Sequence, residues 1–252
     1  MNFRDLTTGA YSKLHDLFPS SDAFDLVELL GYDYSSDAND FIYSQQEEDF
    51  TRELVNSFNQ FAYWLARINL WEQVLAEYTE LDAEELRFEF TTLQLDYCLH
   101  FPHQFKSKLV FCATQLCYTR GIAQNRVSRN EVITDEKINL GALARVAGRW
   151  KSGDALVAAL REIDSAEYRE QTENYRNKAQ HRHGPRLDFG LVASIVREFP
   201  ADAHVAYLFG QSSPLLTRNV LPVLAAEGER LRSAFHAYRT LVETHWHVAK
   251  ES

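Results

Sequence analysis

Apolar residues in this chain recur at steps of three and four rather than in alternation. Over residues 46–79, Phe50, Leu54, Phe58, Phe61, Leu65, Ile68, Trp71 and Leu75 form one stripe, the pattern of a long amphipathic helix. At about 1.5 Å per residue that helix runs roughly 50 Å. A second start is legible at Asp82, which is placed to cap with Glu85 three residues on, while Leu81 meets Leu86 as a hydrophobic staple. From residue 83 the spacing turns Leu86, Leu93 and Tyr97 inward and carries a helix to about His100. Pro102 then kinks it or opens a new helix, which Gly121 is expected to end as a C-terminal cap.

A polar stretch, 122–134, precedes shorter helices predicted at about 136–148 and 153–163. Asp164 and Glu167 form another capping-box pair, starting a helix that ends around 181–183 because Gly184 precedes Pro185. That helix has only a thin buried stripe, Tyr168, Tyr175 and Ala179. Near the C-terminus Pro222 is expected to open a last helix with Leu224, Leu231, Phe235, Tyr238 and Val242 on one side. Between these, VASIV (192–196) and HVAYLF (204–209) fit either a small β-hairpin near 190–210 or short helices. The polar, acidic GYDYSSDANDF, 31–41, reads as a linker. The expected organisation is an N-terminal helical segment and linker, 1–44, and a main helical domain, 45–252.

Composition sharpens this all-α reading. Ten glycines and six prolines are too few for a many-stranded β fold, which turns every dozen residues or so. Aromatics at 13% and apolar residues at 45% supply a substantial core. The longest apolar run, FAYWLA (61–66), is far short of a bilayer span, and the N-terminus lacks the apolar stretch of a secretory signal. Three cysteines without CxxC spacing fit reduced thiols in a cytoplasm. A formal charge of −10 argues against wrapping duplex DNA, and it isolates one exception.

That exception is ENYRNKAQHRHGPRLDF, 173–189, where Arg176, Lys178, Arg182 and Arg186 crowd together with His181 and His183. At about 100° per residue, Asn177 and His181 share a helix face, whereas Arg176 and His181 stand about 140° apart. The latter pair meets best where the last turn unwinds or across two chains. A planar guanidinium for a phosphate, beside an imidazole and an amide, suits a phosphodiester site. Lys178, Arg182 and Arg186 are the further candidate RNA- or phosphate-binding residues.

Arg176-Asn177-Lys178-Ala179-Gln180-His181 resembles the signature of the HEPN superfamily: Arg, a polar residue, then His after four to six intervening positions. His181 fits the four-residue spacing and His183 the six-residue one. The resemblance implies a compact helical bundle and a metal-independent endoribonuclease of RNA processing, toxin–antitoxin or phage defence. It also implies a homodimer in which two motifs face one cleft, and an antitoxin or other protein partner. Arg176 would bind the phosphate, His181 would act as acid or base, and Asn177 would orient them. No cofactor or metal is implied.

Two other readings compete. One is a non-catalytic helical module binding RNA, a nucleotide or a protein through the same basic face. The other is a plain scaffold whose basic segment pairs with Glu167, Glu170 and Glu173. The remaining candidates read as ordinary structure. His245-Trp246-His247 reads as an exposed, frayed helix end, since residues two apart face different ways. His100 and His103 read as a polar kink around Pro102. Asp33, Asp37 and Asp40 read as solvated linker, and GQSSP (210–214) as a loop with a cap before the last helix. Arg120, Arg126 and Arg129 form a looser basic patch able to extend an RNA track. No HExxH, GxxxxGK[ST] or GxGxxG occurs.

Overall fold

The helical periodicity is realised as long helices, with short ones between them. The structure, a computed structural model, describes residues 3–18, 27, 38–181, 185–189, 195–198, 206–209 and 214–247. The helices are α1 (Phe3–Leu17), α2 (Ala38–Leu75), α3 (Glu80–Phe90), α4 (Thr92–Ala123), α5 (Leu140–Ala147), α6 (Gly153–Glu162), α7 (Ala166–Gln171), α8 (Tyr175–His181) and α9 (Thr217–His247). Strands β1 (Ile195–Glu198) and β2 (Ala206–Phe209) pair antiparallel, with Ile195 opposite Phe209. The rest of the two segments read as a hairpin or short helices lies outside the described residues, as does 31–37 of the expected linker. Among the described residues no helix is long and apolar enough to cross a membrane.

Backbone packing divides the chain into two compact units, each assembled from three stretches. The first comprises 1–24, 64–100 and 166–225; the second comprises 25–63, 101–165 and 226–252. The division expected after residue 44 falls within α2. In the first unit, Leu6, Ala10 and Leu14 of α1 pack with Trp71, Val74, Leu75, Ala83 and Leu86, and Phe90 stacks on the Trp71 ring at 4.6 Å. In the second, Phe61 stacks on Phe101 at 4.7 Å, with Phe105 and Phe58 alongside. Leu109, Leu116, Leu143, Leu160, Phe235 and Tyr238 are buried there too.

Helix ends depart from expectation for identifiable reasons. Thr79, not Asp82, caps α3, its hydroxyl accepting from the Asp82 amide, and Leu81 stays exposed. The chain pauses at Thr91, so α3 and α4 are separate, and Leu93 is 81% exposed while Leu95 is buried. Pro102 lies inside α4. At that proline-bearing turn the Tyr168 hydroxyl donates to the Leu99 carbonyl at 3.1 Å. Gly121 is also inside α4, and it is small for packing: a Cβ there would stand 2.4 Å from Val127 Cγ2. α5 starts later than expected, capped by the Asn139 side chain on the Ala142 amide.

The helix expected from 165 to 181 is two helices, because Glu173 and Asn174 both adopt left-handed backbone, at φ 52° and 55°. Asp164 is left-handed as well (φ 53°) and stands two residues before α7, so it is not the extended N-cap of a capping box. Tyr168 and Tyr175 are buried as the stripe requires, but Ala179 is exposed. α9 opens five residues before Pro222, at Thr217, whose amide and hydroxyl both donate to the Asp188 carboxylate. Leu224, Leu231, Phe235, Tyr238 and Val242 are all buried.

Candidate functional site

α8 is seven residues long, and what holds it is mostly its first residue. Tyr175 is buried, and its hydroxyl donates to Asp96 Oδ1 of α4 at 2.7 Å. The same carboxylate oxygen is 3.6 Å from His100 Nε2, and the His100 ring meets Tyr175 edge-on at 5.7 Å. The His100 imidazole, and after it the Tyr175 hydroxyl, hold the Asp96 carboxyl below the usual carboxylate range against the opposing effect of burial. Burial, and then Asp96 itself, push the Tyr175 phenol well up. Asp96 and His100 are four apart on one helix face, a signal present in the sequence.

Beyond Tyr175 the helix bonds largely to itself. Half-buried Arg176 donates from Nη2 to Asn177 Oδ1 at 2.6 Å, and Asn177 Nδ2 donates to Asn174 Oδ1 at 2.8 Å. The structure therefore brings Arg176 and Asn177 together in a chain that starts at the left-handed Asn174. Lys178 Nζ lies 3.7 Å from Glu173 Oε2, one of the three glutamates expected to compete for the basic segment. Arg186 is exposed, and its carbonyl accepts from the Leu215 amide at 2.8 Å. His181 is the last residue of α8, and its side chain lies outside what the structure describes. Arg182 and His183 lie outside the described residues. Because α8 is helical through His181, the backbone positions of 176 and 181 stay about 140° apart around its axis.

Two sequence readings elsewhere are overturned by burial. His245 is not an exposed helix end; it is 1% exposed in the second unit. Its Nδ1 meets the Tyr43 hydroxyl at 2.6 Å, its Nε2 lies 3.8 Å from Cys117 Sγ, and the Trp150 ring packs on it at 4.7 Å. Burial first, then the positive charges of Arg120 and Arg126, push its pKa down to about 3, so it is neutral at pH 7. Arg120 is likewise buried rather than part of a surface patch: its Nε donates to the His245 carbonyl at 2.9 Å, and its guanidinium lies over the Tyr43 and Trp246 rings. Arg126 packs over Trp150 and donates to the Arg149 carbonyl, whereas Arg129 is exposed. Burial raises all three thiols, Cys112 to about 12, which makes them poor nucleophiles.

The pair read as a polar kink is two separate attachments. His100 turns to Asp96, and His103 Nδ1 lies 3.1 Å from the carboxylate of buried Asp164. Among the described residues no group of three or more His, Cys, Asp or Glu side chains is disposed to hold a metal ion. Comparison with protein families, with curated proteins and with solved structures finds no significant match to this chain.

Proposed function

We propose that the chain is a metal-independent endoribonuclease of the HEPN type, acting in RNA processing, as a toxin or in defence through Arg176 and His181. The observation that carries the reading is the state of Arg176. Among the described residues its guanidinium is steadied by the neutral amide oxygen of Asn177 and by no carboxylate, so its positive charge is kept for an incoming anion. A guanidinium so held suits two oxygens of one phosphate. His181 takes the 2′-hydroxyl proton, the freed oxygen attacks the adjacent phosphorus, and the 5′-oxygen leaves. The attack is intramolecular, so the protein need only orient the phosphate, move protons and stabilise charge. The 140° between residues 176 and 181 on a regular helix argues that each composite site takes its arginine from one copy and its histidine from a second.

Incubation with single-stranded RNA in excess EDTA tests the reading. Fragments ending in 2′,3′-cyclic phosphate are expected, with DNA and 2′-O-methyl RNA left intact. Arg176→Ala and His181→Ala should each lower the rate by on the order of 10²–10⁴-fold. If His183→Ala is the damaging change and His181→Ala is mild, the longer spacing is the functional one. Wild-type rates in all three variants would refute the assignment.

The Lys178–Glu173 pair favours a second reading, because it compensates part of the basic face internally. In that reading α8 belongs to a plain helical scaffold whose basic segment is balanced by its own glutamates. Neither cleavage nor binding of RNA by the wild-type chain is its signature, whereas RNA binding without cleavage, weakened by Arg176→Ala, marks a non-catalytic binding module.

A further inference from the structure

The second unit holds a separate polar arrangement, built by α4, the turn after α6 and α9. α4 carries His103 and, three residues on, Lys106, neighbours on one helix surface. Facing them is the turn after α6, where Asp164 is left-handed and its side chain is only 5% exposed. Asp164 Oδ2 lies 3.1 Å from His103 Nδ1, and Lys106 Nζ donates to the Ile163 carbonyl at 2.8 Å. The Asp164 amide donates to Oε1 of fully buried Glu227 at 2.7 Å, and Arg230 donates to the other oxygen of Glu227 at 2.9 Å. Buried carboxylates are costly unless each is hydrogen-bonded, and here the backbone of one is fixed by the side chain of the other. Asp164 is thereby held from behind and presents its carboxylate to His103.

The consequence for the imidazole is a defined tautomer. An ionised Asp164 only accepts, so Nδ1 of neutral His103 carries the proton and Nε2 carries the lone pair. The His103 side chain is 42% exposed, and among the described residues nothing bonds its Nε2. His245 has both ring nitrogens engaged in the core, and His100 has Nε2 turned to Asp96 with Nδ1 buried. His15 and His236 are exposed but have no described carboxylate partner. Among the described histidines, His103 combines an accessible nitrogen with a carboxylate on the other one.

We propose that His103 is a phosphoryl-accepting nucleophile whose donor is a small acyl phosphate or phosphoramidate. The Nε2 lone pair attacks phosphorus and forms an N–P bond. The bond from phosphorus to the donor breaks, and its electron pair leaves with the carboxylate of an acyl phosphate or the amine of a phosphoramidate. The ring becomes cationic with its proton still on Nδ1, and the Asp164 carboxylate balances that charge. Lys106 places an ammonium one turn along the same helix surface, favourable to the dianionic phosphoryl group.

The test uses the intact chain and potassium phosphoramidate at neutral pH, followed by peptide mapping under alkaline conditions and by 31P NMR. His103 should be phosphorylated on the order of tenfold faster than exposed His15 and His236, through Nε2, and Asp164→Asn should remove that advantage. Equal rates at the three histidines, linkage through Nδ1, or an unchanged advantage in a folded Asp164→Asn chain would overturn the proposal. If Asp164→Asn does not fold, the comparison among wild-type histidines and the linkage still decide it.

Discussion

Replacing His245 with asparagine should make the chain less stable at neutral pH and, relative to wild type, progressively less disadvantaged in acid. In the folded chain the imidazole is buried against Tyr43, Cys117 and Trp150, and its pKa falls from 6.5 to about 3. A histidine with a depressed folded pKa contributes stability that is fully present above its unfolded pKa. That stability drains away as pH falls from about 6.5 towards about 3, because only the unfolded chain takes up the proton. Each pH unit inside the window costs about 1.4 kcal/mol, so acidification from about pH 6.5 to 4.5 removes roughly 2.5 kcal/mol, a large share of a typical 5–15 kcal/mol. Glu227, raised by burial, acts with the opposite sign, gaining as pH falls through its folded pKa; Asp96, lowered chiefly by His100, loses stability only below the usual carboxylate range. Both groups are present in wild type and His245→Asn alike, so they cancel in the difference. The assay is urea unfolding from pH 7.5 to 4.5, with fluorescence and far-ultraviolet dichroism followed together to verify two-state behaviour. The stability gap between the two chains should close by roughly 2.5 kcal/mol across that range. A gap constant to within about 0.5 kcal/mol would show that His245 takes up a proton in the folded chain as easily as in the unfolded one, and the reasoning would be wrong.

Gly121→Ala sets a helix-propensity gain of about 0.5–1 kcal/mol against an overpacking cost of about 1–3 kcal/mol where the new methyl meets Val127 and Trp150. Net destabilisation in thermal melts, partly relieved when Val127→Ala is added, is the expected outcome, whereas strict additivity of the two changes would exclude the close-packing account. Tyr175→Phe removes the hydroxyl that ties α8 to Asp96, at a cost of about 1 kcal/mol, so amide exchange over 176–181 should speed up about fivefold while α2 and α9 are unaffected. Unchanged exchange in α8 would mean that this bond does not hold the helix.

Much of the helical architecture is legible in local periodicity. A stripe at steps of three and four implies a buried helix face whatever the neighbours are, and Leu54, Phe58, Phe61, Ile68, Trp71 and Leu75 are all buried in α2. The same logic holds for Leu224 to Val242 in α9. Tyr168 and Tyr175 were readable as the thin buried edge of the basic segment, and Arg176 beside Asn177 as a polar pair. Asp96 was not readable as the anchor of Tyr175, because the contact joins residues 79 apart in the chain.

What tertiary structure alone decided are the features whose partner is distant in sequence or whose backbone defies residue preference. Asp188 caps α9 at Thr217 from 29 residues upstream, so no local signal moved the helix start ahead of Pro222. The α7–α8 break rests on Glu173 and Asn174 in left-handed conformations, where neither glycine nor proline marks the turn. A histidine and an arginine near helix ends read locally as solvated groups. His245 and Arg120 are instead buried because α2 and α4 supply Tyr43, Cys117 and a carbonyl's partner at one place in the second unit. Periodicity tells a helix which of its faces is apolar. Whether a polar side chain on another face meets water or a hydrogen-bonding partner depends on what the rest of the chain brings there, and that is set by packing.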